Sequence, residues 1–249
     1  MNFKLIKLVF TFILIFTNLS YSYFDKIKMV DNIIKSGTFW SFYYSIEPFD
    51  NNTIGTGINY ENFFFTLSSR YFGDFHILDE YKNDLGVIGI YDIYSELGYK
   101  NILLGNLDYY ISIFGRYEYY FSFSEIYLGS RIGLCFNLGS IHLFGSIKFD
   151  DLVYFEGIYK YSFNENIKAK VFFNINYYYQ DIFGSLSSTI LDHNNFSIGV
   201  ESGIFYGTLK GINPLFSLYL NYKNFSIRYD ITFWNTLEIF QLWNFELNI

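Results

Sequence analysis

Alanine is almost missing from this chain: one residue, Ala169, in 249. Alanine is the strongest helix former, so its scarcity argues against a helical protein. Cysteine also occurs once, at Cys135. That excludes a disulfide framework within the chain and a cysteine-based zinc site. Proline occurs twice, and charged residues make up only 16%. The formal net charge is −7, which disfavours a phosphate-rich partner such as nucleic acid. Beyond residue 22 there is no run of eighteen uncharged apolar residues, so no membrane-spanning helix is expected there. What is abundant is apolar and aromatic: 51% hydrophobic residues, 31 Phe and 26 Tyr. Such a chain is not disordered, and its Phe, Tyr and Ile surplus favours strands.

The first 22 residues read as an export signal. Lys4 and Lys7 precede an apolar run from Leu8 to Phe16, and small residues follow at Ser20 and Ser22. This order of charge, short apolar stretch and small residues predicts cleavage after Ser22. Residues 23–36 form a short amphipathic segment, with Ile27, Val30, Ile33 and Ile34 at helical spacing.

The rest, 37–249, alternates with period two. Over 167–180 one parity holds Ile167, Ala169, Val171, Phe173 and Ile175, and the other holds Lys168, Lys170, Asn174 and Asn176. Over 225–234 Phe225, Ile227, Tyr229, Ile231 and Phe233 face one way, and Arg228 and Asp230 face the other. Side chains of a strand point alternately to its two faces, so this parity is a strand signal. Short polar pairs such as Glu61-Asn62, Lys100-Asn101 and Lys223-Asn224, with the stretch Gly211 to Pro214, punctuate the runs as turns. Longer polar loops are expected at 73–84 and 181–193. Many runs reach ten or more residues, the length a tilted strand needs to cross a bilayer. Keeping Lys and Arg off the apolar parity suits a face that meets lipid.

The expected fold is therefore all-β: a closed antiparallel up-and-down transmembrane barrel over 37–249. The runs parse into thirteen strands, and bacterial single-chain barrels have an even number. The expectation is about 12 strands, with 14 or 10 as alternatives. A soluble β-sandwich with the apolar parity turned inward is the competing architecture.

With its alternating runs, tight turns and final strand, the sequence resembles the small outer-membrane β-barrels of double-membraned bacteria, those of spirochaetes in particular. The resemblance implies insertion into outer-membrane lipid. It also implies recognition of the last strand by the barrel-assembly machinery, through Trp243, Phe245, Leu247 and Ile249. The terminal Ile249 stands where such barrels usually end in Phe.

The polar parity places charges on the inner face. Candidate pore-lining residues are Arg116, Arg131, Lys148, Glu156, Lys160, Lys168, Lys170, Glu201, Arg228, Asp230 and Glu238. Both signs are present, so two readings stand side by side. One is a passive pore for small hydrophilic solutes with a mixed-charge lumen. The other is a non-conducting barrel held rigid by ion pairs and displaying its loops. Lys148, Lys160, Lys168 and Lys170 fall on neighbouring runs and could form a basic wall. No enzyme is expected: His76, His142 and His193 stand without a nucleophile at recognisable spacing. Cys135 reads as a small space-filler. No cofactor or metal is implied. Oligomeric state has no signature in the chain.

Overall fold

The computed structural model describes residues 37–46, 52–78, 84–120, 123–149, 153–177, 180–193, 195–207, 211–234 and 238–249. The expected signal peptide and amphipathic segment, 1–36, lie outside them. The described residues form fourteen strands: β1 (Phe39–Ile46), β2 (Asn52–Tyr60), β3 (Phe63–Leu78), β4 (Asp84–Leu104), β5 (Leu107–Tyr120), β6 (Phe123–Leu138), β7 (Ile141–Phe149), β8 (Val153–Ser162), β9 (Ile167–Ile175), β10 (Gln180–His193), β11 (Phe196–Gly207), β12 (Gly211–Tyr222), β13 (Phe225–Trp234) and β14 (Glu238–Asn248). Each strand pairs antiparallel with its chain neighbours, and β1 pairs with β14 to close the barrel. Closure leaves no sheet edge running through the membrane core, where an unpaired backbone group would cost several kcal/mol.

Fourteen strands correct the expectation of twelve. The unread strand is β10, which spans the segment 181–193 expected to be a loop. Its Ser185, Ser187, Ser188 and Thr189 resemble loop composition, and a bulge between Thr189 and Leu191 breaks the period. The outward set Ile182, Leu186 and Ile190 is exposed all the same. The other expected loop, 73–84, is strand at 73–78 and from 84 onward, with 79–83 outside the described residues. β3 and β4 overrun their neighbours here: β2 stops pairing at Asn52 opposite Tyr71. The turn expected at Lys100-Asn101 is also displaced. Both residues lie within β4, and the chain turns at Gly105-Asn106. The expected turn at Gly211 to Pro214 is likewise the start of β12.

The two ends of the barrel differ. At one end, hairpins close through two-residue turns at Glu61-Asn62, Gly105-Asn106, Gly139-Ser140 and Lys223-Asn224. The first residue of each is left-handed, with φ of 53°, 53°, 54° and 50°. Gly105 and Gly139 adopt this without a side-chain clash; Glu61 and Lys223 are strained. Each hairpin is then stitched to the next. The N–H groups of Lys100, Asn137, Ser162, Thr189, Lys223 and Asn248 donate to the carbonyls of Asn62, Asn106, Ser140, Asn166, Asn195 and Asn224 at 2.8–2.9 Å. Ile249 N–H bonds Thr38 O at 2.9 Å, so the residue before β1 and the residue after β14 join this rim. We refer to it as the turn end and to the opposite rim as the loop end.

The outer surface is apolar. Ile54, Ile58, Ile113, Ile132, Leu134, Val171, Ile204 and Leu218 are all exposed. The inner parity carries the buried polar residues, Glu96, Arg131, Glu156, Glu201 and Asp230 among them. This arrangement excludes the soluble sandwich, which would bury the first set and expose the second.

Candidate functional site: the barrel interior

The inward residues do not leave a uniformly charged channel. Tyr43 (β1), Phe64 (β3), Tyr110 (β5), Cys135 (β6), Phe144 (β7), Ile158 (β8), Phe172 (β9), Phe183 (β10), Phe205 (β11), Leu215 (β12) and Phe240 with Leu242 (β14) form one buried apolar cluster. It is an inner belt to which eleven of the fourteen strands contribute. Phe64 packs on Tyr110 with ring centroids 5.1 Å apart, and Tyr110 meets Phe144 edge-on at 5.8 Å. Two missing strands supply glycine instead. Gly55 of β2 lies under the ring of Tyr43, and Gly98 of β4 under that of Phe64. A Cβ at either glycine would collide with the ring, so the small residue lets the aromatic lie against the wall.

Charged networks flank this belt on opposite sides. On β6 and β8, Arg131 and Glu156 stand on the loop-end side of Cys135 and Ile158. Arg131 Nη1 lies 3.0 Å from Glu96 Oε2, and its Nε lies 3.1 Å from Glu156 Oε2. One guanidinium thus bridges β4 and β8 from β6. Glu96 also accepts from Tyr94 (2.6 Å), Tyr110 (2.6 Å) and Ser112 (2.5 Å). Further toward the loop end, Arg116 binds Asp92 at 3.1 Å and pairs with Glu118. Lys148 sits here too, 4.5 Å from the centroid of the Phe114 ring and 5.4 Å from that of Tyr94. A cation over aromatic faces is electrostatically favourable.

The second network lies on the turn-end side of Phe172, Phe205 and Leu215. Arg228 donates through Nη1 to Glu201 Oε2 at 2.7 Å, through Nε to Asp230 Oδ1 at 2.6 Å, and through Nη2 to Ser217 at 2.9 Å. Lys170 Nζ stands 3.5 Å from Glu201 Oε1, which also accepts from Ser185. The long strand separations, such as Glu96 to Arg131, explain why pairing within each network is not legible from the sequence. The belt was missed for a simpler reason. Phe144, Ile158, Phe172, Phe183 and Phe240 share a parity with charged or polar residues, and their size gives no hint that they are collected at one level.

The expected pore-lining residues are therefore divided. Arg131 and Glu156 belong to the loop-side network with Glu96; Arg116 and Lys148 lie beyond it. Lys170, Glu201, Arg228 and Asp230 form the turn-side network. Lys160 and Lys168 face the turn-end mouth. Glu238 begins β14, and its side chain lies outside the described residues. The basic wall is split: Lys160 opposes Lys170 in register, but Lys148 is held apart by its aromatic partners. Among the described residues, no group of three His, Cys, Asp or Glu could hold a metal ion.

No protein-family model matches the chain, and no curated protein matches it. Solved structures do. The toluene transporter TbuX of Ralstonia pickettii superposes with a TM-score of 0.59 at 7% identity, covering 88% of this chain and 91% of that one. The toluene transporter TodX of Pseudomonas putida gives 0.57 at 8%, covering 87% and 89%. A FadL homologue of Pseudomonas aeruginosa gives 0.50 at 8%, covering 84% and 88%. Identities this low establish likeness of fold alone. The chain is thus built as an outer-membrane-type β-barrel, with an apolar belt across its interior and ion networks on either side.

Proposed function

We propose that the protein is a bacterial outer-membrane channel whose interior admits small solutes with apolar surface. The observation that carries this reading is the continuous buried belt from Tyr43 to Leu242. An open pore for small hydrophilic solutes needs a wet path, and an apolar constriction opposes one by dewetting. A small apolar or aromatic molecule can exchange places with belt side chains at little desolvation cost. The fold likeness to two toluene transporters supports the same choice. In this reading residues 1–22 direct export and are removed after Ser22, and the turn end faces the periplasm, as short turns do in such barrels. The outward residues of β14, Trp243, Phe245 and Leu247, with Ile249, present the strand to the barrel-assembly machinery. Of the two loops expected to serve a surface-display role, 181–193 is strand.

Planar-bilayer recording of the refolded mature chain tests this. The wild type is expected to pass little steady ion current. The variant Phe172→Ala/Phe183→Ala/Phe205→Ala, which thins the belt on three adjacent strands, is expected to conduct in clear steps. Wild-type steps as large as those of the variant would overturn the proposal.

A further inference from the structure

The turn-end mouth of the lumen carries a basic patch that a purely apolar channel does not need. His142 on β7, Lys160 on β8 and Lys170 on β9 stand in one cross-strand row, with His142 opposite Lys160 and Lys160 opposite Lys170. Lys170 has Glu201 beside it. Lys168, opposite Ser162, adds a cation one step nearer the rim. Lys160 and Lys168 are both charge neighbours of His142. Lys100 on β4 and Lys160 both lie within electrostatic reach of Cys135, with Asp108 the acid among them. Glu246 is on the far wall, on β14. The patch adjoins the belt: His142 is two residues from Phe144, and Lys170 two from Phe172. A ligand held here by a negative group would extend its other end among the rings.

We infer that this mouth binds the anionic group of a small organic anion whose apolar body occupies the aromatic belt, an aromatic carboxylate such as benzoate being the simplest. The inference rests on the channel reading and names the solute class for it. A bound carboxylate adds charge-assisted hydrogen bonds from Lys160 and Lys168. It leaves the rings to take up the apolar part.

The test is uptake of radiolabelled benzoate and of neutral toluene by porin-depleted bacterial cells carrying the full-length protein. The variants are Lys160→Gln/Lys168→Gln, its conservative counterpart Lys160→Arg/Lys168→Arg, and Lys223→Gln in an exposed turn as control. The Gln variant is expected to lose at least tenfold of benzoate uptake and keep toluene uptake. The Arg variant and the control are expected to retain both. Heat-modifiable gel mobility verifies that each variant is folded. Benzoate uptake that survives in the folded Gln variant, or wild-type uptake of toluene alone, overturns the inference and leaves the channel reading standing. Uptake of neither compound by the wild type overturns both.

Discussion

The two ion networks of the lumen are built from similar groups and differ in how dry they are. In the loop-side network the side chains of Arg131, Glu96 and Glu156 are 3%, 1% and 4% exposed. In the turn-side network the cations Arg228 and Lys170 keep 20% and 13% exposure, although the acids Glu201 and Asp230 are 5% and 1% exposed. Burying an ion is expensive, and a buried pair is held by having every partner present. Losing one member of the dry network therefore strands charge, whereas losing Arg228 or Lys170, whose positions are partly open, lets water reach the acids left behind. The comparison assigns the first network to rigidity of the β4–β8 wall. It leaves the second freer to adjust when a solute passes.

The sharpest way to break the comparison is Arg131→Met. It leaves Glu96 and Glu156 buried without their cation, and about 3–5 kcal/mol of stability is expected to be lost. Reversible urea unfolding into lipid vesicles measures it. Adding Glu96→Gln and Glu156→Gln to that variant should recover much of the loss, because the stranded charges are gone. Next comes Ile132→Lys, one residue along and on the outer face. A lysine facing lipid near the midplane costs roughly 2–4 kcal/mol, and the same unfolding assay should read it. Arg228→Met is expected to cost about 1.5–3 kcal/mol, the scale of hydrogen bonds to charged groups. A loss equal to that of Arg131→Met would erase the distinction drawn between the networks. The smallest effect is expected at the rim. Lys223→Gly removes the side chain from a left-handed position at φ 50° and should stabilise by about 1 kcal/mol or less.

Most strands were legible because lipid enforces a two-residue period. Leu107, Tyr109, Ile111 and Ile113 against Asp108 and Arg116 mark β5 without help from the structure. The same logic explains what was hidden. β10 is polar on its lumen side and carries a bulge at Ile190. The turn at Gly105 was masked by the polar pair Lys100-Asn101 inside β4. In the lumen, parity grouped Arg131, Glu156, Glu201 and Arg228 with the other polar residues of their strands. It was silent on which of them meet.

The amino-acid order alone determined the alternation, the parity that carries charge and the tight turns at Glu61-Asn62 and Lys223-Asn224, because each depends on residues one or two positions apart; which parity faces inward was decided by the closed barrel. Only the tertiary structure decided the strand number, the guanidinium shared between Glu96 and Glu156, and the level at which Phe64, Phe144, Phe172, Phe205 and Phe240 converge. Those depend on the register accumulated across neighbouring strands as the sheet closes on itself, a quantity no local stretch of chain contains.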